Sequence, residues 1–77
     1  MKLLETTFTK KGFTHTLVQR NGNVAVYRRQ KIGGSAVHFE AVIIGSHDGY
    51  VLAGASIAPA ETYPSSEQWG TKGFTLN

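Results

Sequence analysis

The chain has 77 residues, no cysteine and a formal net charge of +3. A domain of this size buries only about 60% of the surface its unfolded chain exposes, so a thin core and no deep catalytic cleft are expected, and without cysteine neither disulfides nor thiolate-bound metal can reinforce it. Glu5 and three threonines follow Met1 to Leu4 within the first ten residues, a pattern that predicts neither a signal peptide nor a membrane span and points to a cytoplasmic setting.

Residues 1–77 read as one small domain, with residues 1–11 a flexible lead-in. From Gly12 to Arg29 two β-prone runs flank Asn21-Gly22, the dipeptide best suited to a type I′ hairpin turn, in which both central residues have positive φ. Phe13, His15, Leu17 and Gln19 then share one side of the first strand, and Thr14, Thr16, Val18 and Arg20 the other. In the second strand Val24, Val26 and Arg28 alternate with Ala25, Tyr27 and Arg29, so Arg28 and Arg29 point to opposite faces. Lys31 to Ser35 reads as a loop around Gly33-Gly34, and Ala36 to Ile44 as a third strand.

Gly45 to Gly49 reads as a turn, and Tyr50 to Ala53 as a short fourth strand folding back on the third. Gly54 ends it, and Ala55 to Tyr63, with Pro59 removing a ladder donor, reads as an irregular edge or loop. Ser65 followed by Gln68 has capping-box spacing, with Glu67 at the positive end and Gly70 as a stop, so one helical turn is expected near residues 65–69. Phe74 to Leu76 reads as a final strand. The fold class is α+β, mainly β: a small antiparallel sheet of four or five strands with one short helical turn.

His15, His38 and His47 lie in three segments without metal-ligand spacing, and no metal or cofactor is expected. His38 and Glu40 share a strand face and could exchange a proton, but nothing supplies a nucleophile beside them, so a polar strand face is the simpler reading. Gly70-Thr71-Lys72-Gly73 lacks the length and the following helix of a phosphate loop. Trp69 is expected to close the core, the alternative being an exposed interface anchor. No enzymatic activity is expected.

Charge is distributed unevenly. Residues 1 to 31 hold Lys2, Lys10, Lys11, Arg20, Arg28, Arg29 and Lys31 against Glu5, a balance of +6; residues 32 to 77 hold Lys72 against Glu40, Asp48, Glu61 and Glu67, a balance of −3. Two such halves predict a basic and an acidic face. Lys2, Lys10, Lys11, Arg20, Arg28 and Arg29 are the expected partner-binding residues, meeting either an acidic protein surface or single-stranded nucleic acid.

Lys11-Gly12-Phe13-Thr14, Leu17-Val18, Arg20, Gly22 and Val24-Ala25-Val26-Tyr27 resemble the opening of a family of small proteins encoded by tailed bacteriophages. Phe39-Glu40-Ala41-Val42, the stretch Ala60 to Gly70 and Gly73-Phe74-Thr75 resemble its middle and late signatures. Members of that family usually continue into a C-terminal helix, for which there is no counterpart among these 77 residues. The resemblance implies a host-takeover protein acting in the host cytoplasm. The expected activity is transcription regulation through binding of host RNA polymerase, by inhibition or antitermination. The alternatives are direct binding of single-stranded RNA or DNA, and inhibition of a bacterial defence nuclease.

Overall fold

The computed structural model describes residues 1–76. Its nine strands, in chain order, are β1 (Thr7–Lys10), β2 (Phe13–Asn21), β3 (Val24–Lys31), β4 (Val37–Ile43), β5 (Gly45–His47), β6 (Tyr50–Leu52), β7 (Ala55–Ile57), β8 (Ala60–Thr62) and β9 (Gly73–Leu76), with a single 3₁₀ turn at Ser66–Gln68 between β8 and β9. The main sheet has the order β1-β2-β3-β4-β9, antiparallel throughout. The mainly β fold with one helical turn is as the sequence predicts.

Antiparallel register decides which side chains share a face. Tyr27 lies opposite both Leu17 and Glu40, and Ala25 opposite Val42. These residues, with His15 and Ile44, form the inner face, where Ala25, Tyr27, Val42 and Ile44 are the buried apolar core and Tyr27 is 0% exposed. Leu4, Phe8, Leu17, Tyr63 and Trp69 complete the packing. Two strands of chain cover this face, the N-terminal segment and the stretch from Ala60 to Trp69.

The N-terminal segment is therefore not the loose lead-in expected from its sequence. Lys2 donates its N–H to the Pro59 carbonyl at 3.1 Å and accepts from Glu61 N–H at 2.8 Å. The Tyr27 hydroxyl donates to the Glu5 carbonyl at 3.0 Å, and Thr7–Lys10 form the edge strand β1 on β2.

The β2–β3 hairpin is present with a different turn and a different far end. Asn21 pairs with Val24, so Gly22 and Asn23 form the two-residue loop; Gly22 has φ +63° and Asn23 is not left-handed, as in a II′ turn instead of the expected I′ turn at Asn21-Gly22. The register slips between Leu17 and Gln19, leaving Val18 as a bulge. One extra residue reverses the alternation beyond it, so Gln19 joins Val26 on the outside and Arg20 joins Ala25 on the inside. Leu17 and Tyr27 both need the inner face, and the bulge reconciles that demand with the turn.

Strand β6 does not fold back on β4. β4 is already paired on both edges, by β3 and β9. β6 pairs with β7 instead, and β5 with β8, in place of the turn expected at Gly45–Gly49 and the loop expected after Gly54. Together they make a two-stranded arm, interrupted at Pro59, which has no N–H to donate. At its tip Ala53 and Gly54 have φ +51° and +80°, the I′ geometry that the sequence suggested for Asn21-Gly22.

The outer sheet face is largely apolar and exposed where β3, β4 and β9 meet. Val26 lies opposite Ala41 and Ala41 opposite Phe74, while Val24 meets Ile43 and Phe39 meets Leu76. Thus the wholly apolar alternation of the third predicted strand faces outward, and the alternation containing Glu40 faces the core.

Candidate functional site

The stretch Glu61 to Trp69 is a strap whose side chains lock onto the inner face. Glu61 takes both terminal nitrogens of Arg20, at 2.7 and 2.6 Å, and accepts the Leu4 N–H at 2.9 Å. Tyr63 enters a ring cluster, with edge contacts to Phe8 at 5.2 Å, Tyr27 at 5.3 Å and His15 at 5.3 Å, while Phe8 stacks flat on His15 at 4.9 Å. Pro64 is buried and its carbonyl accepts from Lys10 Nζ at 2.9 Å. The side chain of Gln68 accepts the Ser65 N–H at 3.1 Å, in the capping box expected between Ser65 and Gln68. The Trp69 ring lies on Gly73, and its Nε1 donates to Thr75 Oγ1 at 3.1 Å. Trp69 is half-buried, closing the core margin as expected.

Glu40, only 3% exposed, lies at the centre of a buried polar cluster. Tyr63 donates its hydroxyl to Oε1, Arg29 NH1 lies 3.2 Å from Oε2, and His15 Nε2 lies 3.4 Å from Oε1. The polar strand face expected for Glu40 is thus an interior one. A buried carboxylate persists only when its lone pairs are satisfied, and three different segments satisfy this one. His38, on the same strand face, is exposed and is not among these partners.

Above this cluster lies a cavity of about 340 Å³, lined by Lys10, Lys11, Phe13, Arg29, Tyr63 and Trp69, with His15 and Glu40 also contributing. Lys10 Nζ lies 5.0 Å from the centre of the Tyr63 ring, and the Arg29 guanidinium 4.5 Å from that of Phe13, both within cation–π range. Burial, reinforced by neighbouring Lys11, lowers the Lys10 pKa. Lys11 occupies a left-handed turn position, φ +51°, which costs a side-chain-bearing residue roughly 1 kcal/mol.

The six residues expected to bind a partner do not form one surface. Lys10, Lys11 and Arg29 meet at the cavity. Arg20 is tied to Glu61, Lys2 lies 3.7 Å from Glu5, and Arg28 is on the outer face, bonded to Gln30 at 3.1 Å. The two faces expected from the charge split do not form, because Arg20–Glu61 and Arg29–Glu40 cross-link the basic half to the acidic half. Sequence reasoning missed His15, Tyr63 and Trp69 as members of one site; the detectable signal was the hairpin register, which sets His15 beside Arg29.

Two groups set the acid response. Burial holds His15 below the ordinary 6.5 and favours its neutral form; Arg20 and the Leu4 N–H hold Glu61 at about 2, against an ordinary 4.5. In both cases the unfolded chain binds the proton first, so stability falls as pH falls. The thermal midpoint is expected to decline below about pH 6.5 and again between 4.5 and 2, with Glu61→Gln making the second decline shallower. A midpoint flat from pH 7 to 3 would refute this assignment.

Among the described residues there is no cluster of three or more metal-ligating side chains, and no helix is long and apolar enough to cross a membrane. Comparison with models of known families, with characterised proteins and with solved structures finds no match.

Proposed function

We propose that this chain is a non-catalytic module that docks on a large protein partner through its β5–β8 arm. The observation that carries this reading is the arm's surface. From Gly49 to Ala60 there is no charged residue, and Val51 and Leu52 stand 72% and 63% exposed beside Tyr50 and Ile57. Exposed apolar surface on an uncharged projection is typical of interaction sites, and Val51 and Leu52 are more exposed than the apolar residues of the outer sheet face. A second observation supports a protein partner over an extended phosphate backbone: the basic residues form no continuous track, Arg20 being tied to Glu61 and Arg28 lying on the opposite sheet face from Lys10 and Lys11.

The phage resemblance supplies bacterial RNA polymerase as the candidate partner, with inhibition or antitermination as the consequence. In this reading the arm makes the contact, and the basic residues steer the approach. The test is binding of purified bacterial RNA polymerase to the chain and to a Val51→Lys/Leu52→Lys variant. The chain should co-elute with polymerase and the variant should lose at least about tenfold in affinity, since a buried unpaired ammonium is costly. Absence of binding by the unaltered chain would sink the polymerase assignment; equal binding by both would sink the arm.

A further inference from the structure

The cavity over Glu40 is separate from the arm, and its lining is chemically specific. Its wall carries Lys10, Lys11 and Arg29, while the buried carboxylate of Glu40 is its sole acidic residue and is already engaged by Tyr63 and Arg29. Three aromatic residues, Phe13, Tyr63 and Trp69, line it between the cations. Its volume of about 340 Å³ lies within the range of small-molecule sites, roughly 300–1,000 Å³.

One buried polar atom of the lining side chains, Arg29 Nε, has no hydrogen-bond partner, and such an atom calls for one. Lys11 adds a further sign. It keeps a positive charge at the cavity edge in a left-handed turn position that glycine would occupy without strain.

We propose that this cavity binds a nucleoside phosphate, free or as a unit of a single strand. Lys10 and Lys11 would hold the phosphate, and Trp69 would contact the flat base. A pyrimidine carbonyl would offer the acceptor that Arg29 Nε lacks, after a small rotation of that side chain. A simple inorganic anion would use the lysines alone, and a plain aromatic would use none of the cations.

Trp69 is the only tryptophan, so its fluorescence reads the cavity directly. The titrants are uridine monophosphate, octauridylate and inorganic phosphate, with calorimetry as a second readout. Uridine monophosphate should give a saturable signal with a Kd on the order of 0.1–1 mM, the weak end of specific binding, and phosphate should bind at least tenfold more weakly. Lys11→Gly should weaken nucleotide binding by about tenfold while raising the thermal midpoint by a few degrees. A merely structural role for Lys11 would not separate those two readouts in opposite directions. Arg28→Gln, on the opposite sheet face, should change neither.

Octauridylate binding much tighter than the mononucleotide, with steep loss in salt, would identify a strand as the source; equal affinity per nucleotide would identify the free ligand. No saturable response to uridine monophosphate or octauridylate at 10-millimolar nucleotide (roughly the limit of meaningful affinity) would overturn the proposal. So would unchanged affinity in Lys11→Gly. Because polymerase binding is assigned to the arm, Val51→Lys/Leu52→Lys should retain nucleotide affinity, which keeps the two readings separable.

Discussion

Glu40→Ala is expected to remove about 3–5 kcal/mol of stability, the range found when one partner of a buried ion pair is deleted. The carboxylate is the common acceptor for Arg29 and Tyr63 and lies beside His15, so its loss strands three groups on the inner face. A domain of this length holds roughly 4–12 kcal/mol in all, so the loss takes about a quarter or more of the total and should lower the thermal midpoint markedly. Urea denaturation followed by circular dichroism measures the effect. Replacing the ion pair, as Arg29→Met with Glu40→Leu, should recover only the share of the loss that comes from the stranded Arg29, because Tyr63 and His15 still lack their acceptor. A single variant within 1 kcal/mol (the scale of an exposed pair) of the unaltered chain would show that the cluster is not the anchor described.

Gly73→Ala is expected to cost about 1–3 kcal/mol by overpacking. A Cβ at this buried position would lie 2.6 Å from Cε3 and 2.9 Å from Cη2 of Trp69. The ring is held by its bond to Thr75 and by the short bridge between Trp69 and Gly73, so it can yield only by leaving the core margin. Trp69 fluorescence should shift to the red as the ring is exposed. In a Trp69→Val background the sign should change, since alanine in a strand exceeds glycine by roughly 0.5–1 kcal/mol once the clash is gone. A double-mutant cycle measures that coupling, and additivity of the two substitutions would refute the packing described.

Much of the strand content was legible in local pattern. The alternation of Val24, Val26 and Arg28 with Ala25, Tyr27 and Arg29 survives intact, because strand alternation is a property of the backbone itself. The capped turn after Pro64 and the last strand were legible for the same reason: each depends on residues within a few positions of one another. The β5–β8 arm was less legible, since Gly54 and Pro59 look like breakers until their partners across the hairpin are known.

The site was not legible in that way. Glu40, His15, Arg29 and Tyr63 come from four separate segments, and whether a glutamate faces solvent or core cannot be told from its own strand when the alternate residues are apolar too. Arg20 illustrates the point most sharply, because a single bulged residue at Val18 moves it to the opposite face and turns a candidate partner contact into an internal ion pair.

What the sequence determined by itself was therefore the local part: a mainly β chain, its second hairpin strand, its capped turn, and a +6/−3 division of charge. The tertiary structure alone decided what the charge division does. Opposite charges far apart in sequence attract and lose less by burial when paired than when single, so folding joins Arg20 to Glu61 and Arg29 to Glu40, leaving Lys10 and Lys11 beside the paired Arg29 at a pocket where the sequence suggested a basic face.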